Sequence, residues 1–361
     1  MNTLWTHVRR AMAGAWGMGI SSGMALAAAA VTSEPVGFSS VSLLPASDTF
    51  VAVTFLRPTV FAGRISSVTG NSLAVEGAAT WSAGQFVYAA GSQPNTYFIL
   101  IGSGPSEGGT FMVTGNGANT ITVDLAGGSL NGVAAGDAIR VVPYWTLGTL
   151  FPAASAGVSF TPTSDVASLQ TVVSLFAPPS VGINPEPTAT FFFFSGAWRQ
   201  SGQSPSLNWD DHVVGLHTPM KVRNAVGGGV LVTAGAVVMQ KLALPIRTQT
   251  GGQQDNPIAL TRPVPVTLND SGLAASGAFI ASATALSRAD LLMVTDNTVQ
   301  GINKAASAIY IYQNSAWRKL GQPLNQDFGA DVVFDSAKSV SIRSAPSSDG
   351  ASRFWINPAN Y

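Results

Sequence analysis

Side chains able to do acid–base or metal chemistry are few in this chain. It has three histidines and no cysteine. His7 stands near the N-terminus, while His212 and His217 stand beside Asp210 and Asp211. Those four form the one cluster with ligand chemistry, because zinc is held by three or four converging N, O or S atoms. In an extended strand Asp210 and His212 would share a face, Asp211 would oppose them, and His217 would fold back after Gly215. A polar turn between Trp209 and Val213 explains the same residues without a metal. Acidic turns at Asn269-Asp270, Asp296-Asn297 and Asp349 offer the oxygen atoms that calcium takes, without EF-hand spacing. The metal-ligand candidates are therefore Asp210, His212 and His217, and the expectation is no cofactor, structural calcium being the one alternative left open.

Nucleophile and nucleotide signatures are weaker. Gly19-Ile20-Ser21-Ser22-Gly23 fits the G-x-S-x-G pattern but lacks its strand–turn–helix context. No helix pattern follows Gly102-Ser103-Gly104 or Gly108-Gly109, so neither reads as a dinucleotide loop. Paired carboxylates for glycoside hydrolysis need closeness in space, which the presence of 18 acidic residues does not establish. No catalytic residue is assigned, and an exported hydrolase ranks last of three functional readings.

Aromatic residues offer more. Trp198-Arg199 and Trp317-Arg318 each end a strand rich in aromatic residues. The two tryptophans read as stacking platforms for a sugar or, more simply, as core, where aromatic rings dominate packing energy. Arg199 and Arg318 would then face the other way, towards aspartates. In Phe191-Phe192-Phe193-Phe194 a strand would send two rings to each face. Such a strand is buried on both sides or meets another chain. Phe191, Phe192, Phe193, Phe194, Phe354 and Trp355 are the interface candidates.

The elements that position these residues read as strands. Phe191–Arg199 and Tyr310–Arg318 correspond at a spacing of 119 residues, and so do Gly182-Ile183-Asn184 and Gly301-Ile302-Asn303. Val213-Val214 and Val332-Val333 keep that spacing, and Arg223-Asn224-Ala225 corresponds to Arg343-Ser344-Ala345 one residue further on. Matches in one order indicate a repeated unit of about 120 residues. Residues 59–143 interrupt the first copy. There Gly70-Asn71 and Gly115-Asn116-Gly117 supply the positive φ that tight hairpins need, between short alternating runs. About six short strands in that stretch suggest a small closed barrel. Ala236 to Leu244 reads as a further strand, and short helices are expected within Ala153–Leu175 and Leu273–Leu292. The expected fold is all-β: two duplicated β-sandwich-like modules, the first interrupted by a β-barrel-like insert. The first β repeat takes residues 31–58 plus 144–236, the inserted domain 59–143, and the second repeat 237–361.

Residues 1–30 are a separate object. They contain Arg9-Arg10, an uncharged stretch from Ala11, and Ala27–Ala30 as a cleavage site, with no acidic residue before Glu34. This reads as a secretory signal peptide. No later apolar run is long enough to span a membrane as a helix. The 18 basic and 18 acidic residues leave no net charge, which argues against a nucleic-acid partner. Charged residues are only 10% of the chain against 46% hydrophobic. Without cysteine, an exported protein of this kind must be held by burial and strand pairing alone.

The chain resembles an uncharacterised family of exported bacterial proteins expanded as paralogues in verrucomicrobial genomes. The likeness rests on Glu34-Pro35-Val36-Gly37-Phe38, Gly63–Val68, Trp81–Phe86, Gly136-Asp137, Thr146–Phe151 and the two aromatic–Trp-Arg segments. It covers essentially the whole chain after residue 30. It implies export and a shared β architecture, and it brings no catalytic residue. In this chain Phe191–Phe194 departs from the family's alternation of Tyr and Phe with polar residues.

The favoured function is an extracellular or cell-surface structural protein that self-associates into a filament, layer or matrix, and not an enzyme. Low charge and exposed strand edges favour such contacts. The donors would be Val31–Leu44 and Arg353–Ile356. The alternative is a carbohydrate-binding or adhesive module with a polysaccharide partner.

Overall fold

A computed structural model describes residues 34–51, 53–77, 80–126, 128–152, 161–177, 181–216, 218–258 and 262–361. The expected signal segment, 1–30, and His217 lie outside the described residues.

The chain is all-β. β1 (Val36–Leu43) and β2 (Ser47–Val51) open the first half. β3 (Phe61–Thr69), β4 (Ser72–Val75), β5 (Tyr97–Ile101), β6 (Thr110–Asn116), β7 (Thr120–Asp124) and β8 (Ala138–Pro143) then close a barrel in the order β3-β4-β7-β6-β5-β8. The first half resumes with β9 (Trp145–Thr146), the one-turn helix α1 (Leu147–Leu150), β10 (Thr171–Leu175), β11 (Ala189–Phe194) and β12 (Ala197–Gln200). It ends with β13 (Val213–Val214), β14 (Met220–Asn224) and β15 (Gly229–Ala236). The second half holds β16 (Leu242–Ile246), β17 (Gln254–Ile258), β18 (Val266–Thr267), β19 (Leu291–Asp296) and β20 (Ala308–Gln313). β21 (Ala316–Lys319), β22 (Val332–Phe334), β23 (Lys338–Ser344) and β24 (Arg353–Asn357) complete it.

The two halves have the same strand order. A five-stranded sheet β12-β11-β10-β14-β2 answers to β21-β20-β19-β23-β17. The two-stranded ribbon β1–β15 answers to β16–β24, and β9–β13 to β18–β22. Each half packs around a tryptophan. Trp198 lies among Phe151, Leu147, Val173 and Phe191, and its indole N–H donates to the Phe151 carbonyl at 3.2 Å. Trp317 lies among Phe279, Phe334, Leu292 and Trp355. The barrel has its own core, filled by Ile65, Leu73, Ile99, Val113, Ile121 and Val141.

Two local expectations are corrected. The run Ala236–Leu244 is not one strand: β15 ends at Ala236 and β16 begins at Leu242. The buried Arg262 guanidinium collects the carbonyls of Val238 and Gln240 at 2.7 and 2.8 Å, so that segment bends to meet it. Residues 273–290 form turns and bends instead of a helix, Leu291 and Leu292 open β19, and the described part of Ala153–Leu175 before β10 is also without helix.

The halves are joined by two reciprocal clasps. In one, the Asp48 carboxylate at the start of β2 accepts from Arg223 of β14 at 2.6 and 2.8 Å and from the Asn303 N–H at 2.8 Å. In the other, Asp255 of β17 accepts from Arg343 of β23 at 2.7 and 2.9 Å and from the Asn184 N–H at 2.8 Å. Each loop also offers its glycine carbonyl, with Asp48 N–H donating to Gly301 at 2.8 Å and Asp255 N–H to Gly182 at 2.9 Å. Asn184 and Asn303 take φ of 51° and 52°, a left-handed conformation that asparagine tolerates better than most residues. Each half thus completes the Asp–Arg pair of the other.

Candidate functional site

The structure places the sequence-derived candidates mainly in structural roles. Trp198 and Trp317 are each 1% exposed, so neither offers a face for a sugar. Their burial corrects the stacking expectation, and its cause is the cross-strand packing of rings: Phe193 against Trp198 at 5.7 Å and Tyr312 against Trp317 at 5.2 Å. Trp209 is half-buried, 6.2 Å from Phe191. Among the described residues Arg199 forms no ion pair with an aspartate. It donates to the carbonyls of Phe194 and Ser206, both at 3.2 Å.

Phe191 and Phe192 are buried on opposite faces of β11, at 0% and 5% exposure, and Phe193 and Phe194 are half-buried. Phe191 and Phe192 are covered within their own chain, which corrects their interface role, while Phe193 and Phe194 keep part of their surface open. Trp355 is corrected in the same way: it is fully buried and donates its indole N–H to the Ser271 carbonyl at 2.7 Å. Phe354, its neighbour on the other face of β24, is 58% exposed.

Asp210 and His212 lie around a turn and not along one strand face. The Asp210 carboxylate accepts from the Trp198 N–H at 2.8 Å, and its carbonyl accepts from Gly148 at 2.8 Å. The equivalent in the second half is Asp327, which accepts from the Trp317 N–H at 3.1 Å. Asp210 is thus the turn residue that seats a core tryptophan. The His212 ring packs 4.7 Å from Phe191, and burial pushes its pKa below the ordinary histidine value. Among the described residues, no group of three or more His, Cys, Asp or Glu side chains is placed to hold a metal ion. The acidic turns spend their carboxylates locally: Asp296 on Thr298, Asp349 on Ala351 and Asp270 on the Thr267 hydroxyl.

No protein-family model, curated protein or solved structure matches this chain. The reading of the site therefore rests on geometry.

The feature that geometry singles out is the β1–β15 ribbon. Of the expected donor segment Val31–Leu44, the residues from Val36 to Leu43 are already paired in their own chain, Val36 opposite Ala236 through to Leu43 opposite Gly229. Arg353–Ile356 is likewise paired, as β24 on β16. Among the described residues β1 has β15 as its only strand partner, so its other edge carries none. Gly37, Ser39, Val41 and Leu43 face inwards along β1, and Val36 and Phe38 face out at 79% and 77% exposure. A methyl group at Gly37 would press on the Phe55 ring, so the small residue takes the inner face and the large ones are turned to solvent. Across the ribbon Val230 and Val232 are also exposed. The sequence signal was the alternation Val36-Gly37-Phe38-Ser39, whose inward and outward sides depend on Phe55.

Proposed function

We propose that this is an exported structural protein of the cell exterior that assembles with copies of itself, with β1 as the joint. The supporting observation is an eight-residue edge strand bearing Val36 and Phe38 in solvent. A long strand with one unpaired edge and apolar side chains is a template for another strand. Single exposed apolar residues are ordinary on surfaces; here they line one ribbon face together with Val230 and Val232. Without Arg9 and Arg10 the exported chain keeps 16 basic and 18 acidic residues, and so small a net charge leaves little repulsion to hold copies apart. Export is supported by the signal-like segment 1–30. We also read the halves as copies of one unit, a reading supported by their common strand order.

Sedimentation velocity on the exported chain tests the assembly. Association that rises with protein concentration is expected. Val36→Asp combined with Phe38→Asp should leave the chain monomeric with an unchanged Tm, since both side chains lie in solvent. A wild-type chain that stays monomeric over the whole concentration range overturns the proposal.

A further inference from the structure

A cavity of about 720 Å³ lies between the two halves. Its size is that of a small-molecule site. Its floor is the outer face of the second five-stranded sheet, where Pro257, Ser341 and Met293 lie side by side across β17, β23 and β19. The opposite wall comes from the first half and includes Phe50 and Phe176, whose rings are 6.3 Å apart. Six prolines line the space: Pro185, Pro187, Pro219, Pro257, Pro263 and Pro265. Proline has no N–H, so these positions give the cavity apolar rings and no backbone donors.

The charges around the cavity are unevenly committed. Asp255 is held by the two bonds from Arg343, and Asp335 by Lys338 at 3.0 Å. Arg262 spends its guanidinium on Val238, Gln240 and Asn357. Glu186 is exposed at the rim. Two lysines remain. Lys221 has its nearest carboxylate oxygen at 3.9 Å, on Asp48, which Arg223 already holds bidentately. Its ammonium stands 5.8 Å over the Phe176 ring. Lys304 donates to the carbonyls of Asp296 and Val299 at 2.8 and 3.0 Å. An ammonium has three donors, so one N–H of Lys304 has no partner among the described residues. Burial pushes both ammonium groups below the ordinary lysine range, outweighing the nearby carboxylates of Asp48 and Glu186 at Lys221 and of Asp296 and Asp48 at Lys304.

We propose that this cavity binds a small carboxylate with an apolar body, the carboxylate on Lys221 and Lys304 and the body against the proline and phenylalanine walls. Charge-assisted bonds to two ammonium groups would fix the headgroup, and the proline-walled space would take the chain or ring behind it. The cavity touches β1 only by its inner face, at Ser39 and Val41, while the joint uses Val36 and Phe38 on the outer face; Val36→Asp combined with Phe38→Asp should therefore leave decanoate binding unchanged and keep the two tests distinguishable.

Isothermal titration calorimetry with decanoate on the full exported chain tests it. The expected result is saturable binding at one site per chain, with decyltrimethylammonium at least tenfold weaker despite its equal chain length. Lys221→Met combined with Lys304→Met should weaken decanoate at least tenfold, while Lys319→Met, outside the cavity lining, should leave it unchanged. If the double variant fails to fold, Met293→Trp, which fills the floor and keeps both lysines, should abolish binding. Equal affinity for the two amphiphiles, decanoate binding unaffected by the lysine or tryptophan variants, or no binding at all overturns the proposal. Binding of oligogalacturonate in place of decanoate does so too, and would assign the lysines to an acidic saccharide.

Discussion

Asp48 has a side chain only 1% exposed, yet it is a carboxylate beside Arg223 and Lys221. Burial alone would raise its pKa. The Arg223 bond, the Asn303 N–H and the charges of Lys221 and Arg223 together outweigh burial and hold it below the usual carboxylate value. A depressed folded-state pKa stabilises the fold above the unfolded value and loses that contribution as pH falls through the folded one. Thermal melts from about pH 5 to about pH 2 should therefore show the wild type losing more Tm than Asp48→Asn. Removing the arginine instead strands a buried charge, which costs about 3 kcal/mol or more. Urea unfolding should show Arg343→Ala costing more than Arg223→Ala. Lys221 remains 3.9 Å from Asp48 in the second variant, whereas no lysine forms an ion pair with Asp255 among the described residues. Equal costs would mean that Lys221 gives no compensation.

At the scale of elements, the barrel is tied to the second half where its β5–β6 loop meets the start of β16. Gly108 has φ of +86°, and a Cβ there would collide with the Lys241 carbonyl. Gly70, in the β3–β4 turn, has φ of +60° and open space around it. Gly108→Ala should thus destabilise by more than about 1 kcal/mol and by more than Gly70→Ala, read as the difference in urea midpoints. The hairpins were legible in part: Gly70 sits in the β3–β4 turn with φ of +60°, but Gly115 and Asn116, expected in the next turn, belong to β6 opposite Thr122 and Ile121, and that reversal falls at 117–119. The all-β class followed from the same local signals. The clasps were only half legible. Gly182–Asn184, Gly301–Asn303, Arg223 and Arg343 stood out as recurrences, but Asp48 lies 175 residues from Arg223 and shares little local sequence with Asp255. The bend after β15 was hidden for a similar reason, since its carbonyls are satisfied by Arg262, whose effect no strand pattern near Ala236 records. Likewise Asp210 read as a metal ligand because its composition is that of a ligand. Its partner, the Trp198 N–H, is fixed by tertiary packing.

At the scale of the molecule, charge is scarce and what there is has been drawn inwards, with Asp48, Asp255, Asp290 and Arg262 all buried. The surface left is short of the charges that normally keep chains apart. Self-association through β1 would then be apolar in origin, and raising the salt concentration should leave sedimentation unchanged or strengthen it. A joint built on ion pairs would loosen instead. The barrel adds one further property. It leaves the first half at Phe61 and returns to it at Val141, and these two residues are paired neighbours on β3 and β8. The doorway through which the chain departs and comes back is therefore one inter-strand step wide, about 5 Å. Away from that doorway the barrel is fastened at Glu107 and Gly108 against Lys241 and by Phe98 and Leu100 in the core of the second half. Turns remote from those contacts, such as the β3–β4 turn at Gly70, are free to change in length while the sheets on either side keep their register.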